Sequence, residues 1–145
     1  MDSKVLVRRI MTAVYNVDGV YRYLSKKQGT KANEMSLFYA LNDGKLHSQK
    51  TISEEWYIPK TTLNTIIKEC ESAGYITLES AGKGRELHVC LTEKGKEYAN
   101  ELLQPLYARE AKALQETLDK YGPEFIEAME YYADRFEEAA DMKKK

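Results

Sequence analysis

Cysteine is scarce in this chain: Cys70 and Cys90 are the only two among 145 residues. That is too few for the stapled framework of a small secreted domain. Only two histidines are present, His47 and His88, and neither stands at a spacing from Cys or Asp that resembles a metal site. Neither a metal nor a cofactor is expected. No apolar run approaches the roughly 18–20 residues of a membrane span. The start, "MDSKVLVRRIMTAVYNVDG", has basic residues behind its first apolar ones and no small-residue cleavage site. These absences point to a cytoplasmic protein without membrane association. No nucleophile elbow, phosphate-binding loop or dinucleotide fingerprint occurs, and "AGKG" is too short to cradle a nucleotide, so no enzyme is expected. There is no internal repeat and no linker. With 43% hydrophobic and 31% charged residues, the chain reads as one soluble domain, 1–145, able to bury a single core.

What is present is unevenly charged. Residues 1–44 hold seven Lys/Arg against four Asp/Glu, residues 45–96 eight against seven, and residues 97–142 four against twelve. An acidic C-terminal third beside a more basic remainder suits a molecule that meets a polyanion on one side only. Two solvated helix faces of unequal charge would give the same totals.

Periodicity supplies the elements. Apolar residues from Val5 to Leu24 recur at helical spacing, weakened by Gly19. A second helix runs from about Ala32, with Met35, Leu37, Phe38 and Leu41 inward, and Asn42-Asp43-Gly44 ends it. Ser48 can cap a short third helix containing Ile52 and Trp56. Tyr57-Ile58 leads tightly to Pro59, which suits a first helical position. The fourth helix puts Leu63, Ile66, Ile67, Cys70 and Ala73 on one face, and Gly74 stops it. Strands follow at Tyr75–Glu79 and Glu86–Leu91, each apolar on one side. Thr92 caps a fifth helix in which Pro105 should produce a kink. Gly122-Pro123 divides it from a last helix carrying Phe125, Ile126, Met129, Tyr132 and Phe136 at helical spacing.

A short helix, a tight turn and an amphipathic helix make a helix-turn-helix, whose second helix enters the DNA major groove. The hairpin straight after it is a wing. The fourth helix opposes its apolar face with Lys60, Thr61, Thr62, Asn64, Thr65 and Lys68: short hydrogen-bonding side chains with two cations, near a helix N-terminus that favours phosphate. Asn suits adenine and Thr a base edge or a thymine methyl. Ser48, Gln49 and Lys50, opening the third helix, complete the candidate interface. On the hairpin, glycines allow close backbone approach, while Lys83 and Arg85 supply phosphate or minor-groove contacts. Double-stranded DNA is the expected partner. A solvated polar face with an incidentally basic hairpin is the plainer alternative, but such faces are usually richer in Glu than this one, where Glu69 and Glu71 fall late.

The stretch "SQKTISEEWYIPKTTLNTIIKECESAGYITLESAGKGRELHVCLTEKG" resembles the winged helix-turn-helix of the multiple-antibiotic-resistance regulator (MarR) family. Its most specific pieces are "ESAGYI", the wing Arg85 and "LTEKG", and the flanking helices extend the likeness over nearly the whole chain. The resemblance implies a mainly α fold with a two- to three-stranded β-wing. The winged helix-turn-helix would occupy 31–96, and the flanking helices, 1–30 and 97–145, would build a homodimer. It further implies a pseudo-palindromic operator, repression, and release by a small effector. Pro59 to Lys68 correspond to the recognition surface and Arg85 to the wing arginine. Two departures stand out: Lys83 occupies a place where the family often has Asp, and Pro105 interrupts a dimer helix. A PadR-like regulator also follows a winged helix with C-terminal helices, although the long first helix argues against it. A winged-helix protein-interaction module that binds no DNA is the alternative from another class, supported by the near-neutral 45–96 segment.

Eleven tyrosines are many for this length. Tyr15, Tyr21, Tyr39 and Tyr107 are candidates to line a cleft for a small aromatic or apolar effector; core and dimer packing would use them equally well. Cys70 reads as a small core residue. Cys90 alternates onto the outer face of the wing, where a redox role would require a lowered pKa.

Overall fold

A computed structural model describes residues 2–80 and 86–142. The first unit of the chain, Met1–Leu106, contains α1 (Ser3–Lys27), α2 (Ala32–Leu41), β1 (His47–Ser48), α3 (Gln49–Trp56), α4 (Lys60–Ser72), β2 (Ile76–Ser80), β3 (Leu87–Leu91) and the start of α5 (Glu93–Tyr121). The second, Tyr107–Lys145, holds the rest of α5 and then α6 (Glu124–Ala139). The mainly helical architecture with a small β-wing is as the sequence leads one to expect.

The core of the first unit is made by α2, α3, α4, the sheet and α5. Leu37, Phe38, Ile52, Ile58, Leu63, Ile76 and Leu103 are almost completely buried there. Each such side chain contributes about 1.5–3 kcal/mol relative to exposure. The periodic positions of α4 behave as read, with Leu63, Ile66, Ile67 and Cys70 inward. Ala73 differs: it is exposed, because it follows the last helical turn as the C-cap. Gly74 (φ +81°) then turns the chain in the left-handed region that glycine tolerates.

The sheet is antiparallel with order β1-β3-β2. Its register pairs Ile76 with Leu91, Leu78 with Val89 and Ser80 with Leu87, which puts the apolar residues of both wing strands on one face. The third strand, only two residues long, pairs His47 with Val89 and Ser48 with His88. A strand this short has no periodicity to read.

The junction of α4, β2 and α5 explains two of the motifs. Thr92 donates from Oγ1 to the Gly74 carbonyl (2.6 Å) and accepts there from the Gly95 amide (3.0 Å), capping α5. Thr92 N–H donates to the Tyr75 carbonyl at 3.0 Å. Lys94 Nζ reaches the Ala73 carbonyl (2.7 Å) and lies over the Tyr75 ring. "ESAGYI" and "LTEKG" are thus two halves of one clasp, which fixes the wing against the end of α4.

α5 continues through Pro105 as one 29-residue helix. Gly122 (φ +78°) ends it, and α6 begins after Pro123. None of the described residues of α6 is buried in the protomer, and α1 buries only Leu24 and Ser25.

Candidate nucleic-acid interface

The candidate interface residues with described positions lie on β1, α3 and α4. Ser48 is buried, and its Oγ accepts the Thr51 amide (3.0 Å) while donating to Thr51 Oγ1 (2.8 Å). The Ser48 hydroxyl therefore caps α3 and sets where Gln49 and Lys50 emerge. At the other end Tyr57 adopts φ 53°, a left-handed C-cap on a non-glycine residue. Ser53 Oγ donates to the Ile58 carbonyl at 2.7 Å, and Ile58 is buried, so the turn is anchored on both sides. Pro59 is the N-cap of α4 and not, as the sequence suggests, its first residue. Its ring offers no side-chain cap to the first-turn amides, which leaves that end of the helix open to an anion.

Along α4, Lys60, Thr61, Asn64, Thr65 and Lys68 are exposed and Thr62 is half-buried, on the side away from the core. Thr65 Oγ1 donates to the Thr61 carbonyl at 3.1 Å, so its methyl group and its lone pairs remain for a ligand. Gln49 Nε2 donates to Asn64 Oδ1 and joins α3 to α4 across the surface. Gln49, Lys50, Lys60 and Asn64, with Ser53 and Leu87, line an open cavity of about 510 Å³ between α3, α4 and β3. Lys83 and Arg85 lie outside the described residues.

Of the four candidate tyrosines, Tyr21 and Tyr39 meet. Tyr21 packs edge-on against Tyr39 (6.5 Å between ring centres), and Tyr39 against Trp56 (5.5 Å). Tyr15 is 67% exposed, and Tyr107 is the half-buried first residue of the second unit.

Neither thiol has the lowered pKa that a redox role would require. Burial pushes Cys70 up to about 12, with Glu34 and Glu69 adding. Burial also raises Cys90, reinforced by its hydrogen bond to Glu79 (3.5 Å). His47 Nε2 lies 2.7 Å from Asp43 Oδ1, and that bond holds the Asp43 carboxyl below its ordinary value, helped by the Lys45 amide. Among the described residues there is no cluster of His, Cys, Asp and Glu able to hold a metal, and no helix is long and apolar enough to cross a membrane.

A capped short helix, an anchored turn, a second helix with a polar outer face, and a three-stranded wing define a winged helix-turn-helix. Residues 28–86 match the model of the MarR family. Over that segment the resemblance noted in the sequence is met by the family match. The structure of NMB1585, a MarR family regulator from Neisseria meningitidis, superposes with a TM-score of 0.80 at 23% identity, covering 99% of this chain and 100% of that one. The transcriptional regulator SPO1453 from Silicibacter pomeroyi DSS-3 gives 0.75 at 16% identity over 92% and 96%. The regulator MarR from Oenococcus oeni PSU-1 gives 0.68 at 18% identity over 92% and 98%. At such identities the likeness is one of fold. No curated protein matches the chain in sequence.

Proposed function

We propose that this protein is a sequence-specific DNA-binding transcriptional regulator of the cytoplasm, acting as a homodimer on a pseudo-palindromic operator and without enzymatic activity. The observation that carries the reading is the outer face of α4. It presents Lys60, Thr61, Asn64, Thr65 and Lys68 on a helix whose N-terminus has no side-chain cap, within a segment matching a family of regulators. Lysines and free helix amides hold the phosphates, while Asn and Thr read base edges. In this reading residues 1–145 form a single MarR-like domain, in which residues 31–96 bind DNA and residues 1–30 and 97–145 dimerise. The dimer follows from apolar side chains exposed on the protomer: Val7, Ile10, Val14 and Val17 on α1, and Phe125, Ile126, Met129 and Phe136 on α6. Patches of this kind mark interfaces. The regulator is a repressor, released when a small aromatic or apolar effector binds beside Tyr21 and Tyr39.

The test is binding to random duplex DNA over a range of salt, followed by selection of preferred sites. A regulator shows log-linear loss of affinity with salt and yields an inverted repeat. Salt-independent absence of binding would instead favour the interaction-module reading, which the near-balanced charge of residues 45–96 supports. The MarR family match favours this regulator class over a PadR-like one.

A further inference from the structure

The apolar face of the wing leaves the core as it runs outward. Val89 is buried, but Leu87, two residues further out on the same face and paired with Ser80, is 41% exposed. Leu87 and its neighbour Glu86 both line the open cavity of about 510 Å³ that Asn64 and Lys60 of α4 and Lys50 of α3 also line. Two consecutive residues can share the cavity because Glu86 stands just before β3, where strand alternation does not bind it. Glu86 is exposed, and among the described residues it takes part in no ion pair. An acid is out of place there if the cavity meets only sugar and phosphate. An ionised carboxylate only accepts hydrogen bonds, and the DNA backbone is anionic and offers no donor. The donors of B-DNA are base amino groups, which in the major groove are cytosine N4 and adenine N6.

We infer that Glu86 and Leu87 form a pair that reads cytosine, Glu86 accepting from the N4 amino group and Leu87 covering the apolar edge beside it. The inference rests on the DNA-reading function proposed above, and it adds readers supplied by the wing to those of α4. The four bases differ in how their major-groove edges meet an acceptor set next to an apolar side chain. Guanine presents two acceptors, and thymine presents O4 beside its methyl group; both bases oppose the carboxylate. Adenine presents a donor, but its N7 acceptor lies alongside, and leucine would cut it off from water without replacing the hydrogen bond. Cytosine presents its N4 donor beside a C–H edge, and it alone satisfies both side chains. Discrimination therefore comes as much from the bases refused as from the one accepted. Lys50 and Lys60 supply phosphate contacts that offset the repulsion between Glu86 and the backbone.

The experiment takes the best duplex selected by the wild-type protein and replaces each base pair in turn. Relative affinities are measured at neutral pH for wild type, Glu86→Ala, Glu86→Gln and Leu87→Ala. Glu86→Ala identifies the position read, as the one whose preference flattens. There wild type should prefer cytosine over thymine by about fivefold or more, within the range of one good base contact. Glu86→Gln sets a donor beside the acceptor and should move the preference from cytosine towards adenine, whose N6 and N7 suit glutamine. Leu87→Ala lets water reach N7 and should narrow the gap between cytosine and adenine, while thymine stays disfavoured. Only ratios between duplexes are compared, because removing the charge of Glu86 raises affinity for every duplex.

An affinity that rises equally on all duplexes in Glu86→Ala, with no position changed in preference, overturns the inference: Glu86 would then only repel the backbone. A cytosine-to-adenine ratio unmoved by Leu87→Ala removes leucine from the pair. Both results leave DNA binding intact. Failure of the wild-type protein to bind any duplex in a salt-dependent way overturns the function itself, and this inference with it. A second measurement confines the change to the base. At the position found, cytosine is replaced by 2-pyrimidinone, which lacks the amino group. The replacement should cost wild type about fivefold or more beyond what it costs Glu86→Ala, since only wild type loses a contact to N4. Equal losses in the two proteins would show that Glu86 does not hold the amino group.

Discussion

At Gly95 one methyl group decides whether the wing can close on α5. A Cβ there would lie 1.9 Å from the Tyr75 carbonyl oxygen, a backbone atom that cannot rotate away. Gly95→Ala should therefore cost about 1–3 kcal/mol, as overpacked sites do, and thermal melting that matches wild type would show that the clasp is loose. The capping role of Thr92 is legible in the sequence because cap and helix are adjacent. The need for glycine three residues later is not, because the atom it makes room for belongs to Tyr75, twenty positions away. Cys70 shows the opposite case, where helical spacing alone marks a core residue. Its thiol is raised from 9.0 to about 12, so the native protein keeps a proton that the unfolded chain gives up. The corresponding stability is fully present below 9.0 and is lost as pH rises from there towards 12. At pH 8 an alkylating reagent should label Cys70 only as fast as the protein unfolds. Stoichiometric labelling of the native protein at Cys70 would contradict this burial.

Among the elements, α4 was the most legible, because its apolar stripe and its polar stripe both repeat at helical period. What sequence could not show is that Gln49 crosses from α3 to meet Asn64, a contact between side chains fifteen residues apart. The strand β1 was also beyond reach, since two residues carry no alternation. The wing strands were read nearly to the residue, and the register confirms their shared apolar face. Between them Lys83 is flanked by Gly82 and Gly84, while Arg85 stands two residues before β3. Lys83→Ala should weaken binding on all duplexes alike and lower the log–log salt slope by about one unit, as the loss of one phosphate contact does. Arg85→Ala should weaken binding more, with the largest loss where the flanks are A·T-rich, because a planar guanidinium suits a narrow minor groove of enhanced negative potential. Titrations on A·T-rich and G·C-rich flanks at several salt concentrations decide this. An Arg85→Ala loss independent of the flank would reduce the wing to another phosphate clamp.

For the whole molecule, the segregation of charge noted in the sequence falls on the elements whose apolar faces are uncovered. Residues 1–27 carry six Lys/Arg against two Asp/Glu, and residues 124–142 carry one arginine against seven acids. α1 and α6 are therefore opposite in sign, and both expose valine, isoleucine, methionine or phenylalanine. Two α6 helices facing each other across a dyad would bring acids together; α1 of one protomer against α6 of its partner would bring opposite charges together. We expect the second arrangement, with apolar contact supplying most of the affinity over at least about 2,000 Å². Opposite charge then favours the register and the encounter. Exposed pairs contribute only about 0.2–1 kcal/mol each and are screened by salt. The dimer should accordingly persist in salt yet dissociate about tenfold more readily between about 0.05 and about 0.5 M sodium chloride, where the Debye length falls well below 10 Å. Reversing Arg8 and Arg9 to Glu should weaken the dimer at low salt, and reversing Glu127 and Glu130 to Lys in the same chain should restore part of the loss. Sedimentation of wild type and variants at micromolar concentration reads all of these. A dimer that tightens with sodium chloride would point instead to like-charged helices meeting at the dyad, and a monomer under every condition would remove the homodimer altogether.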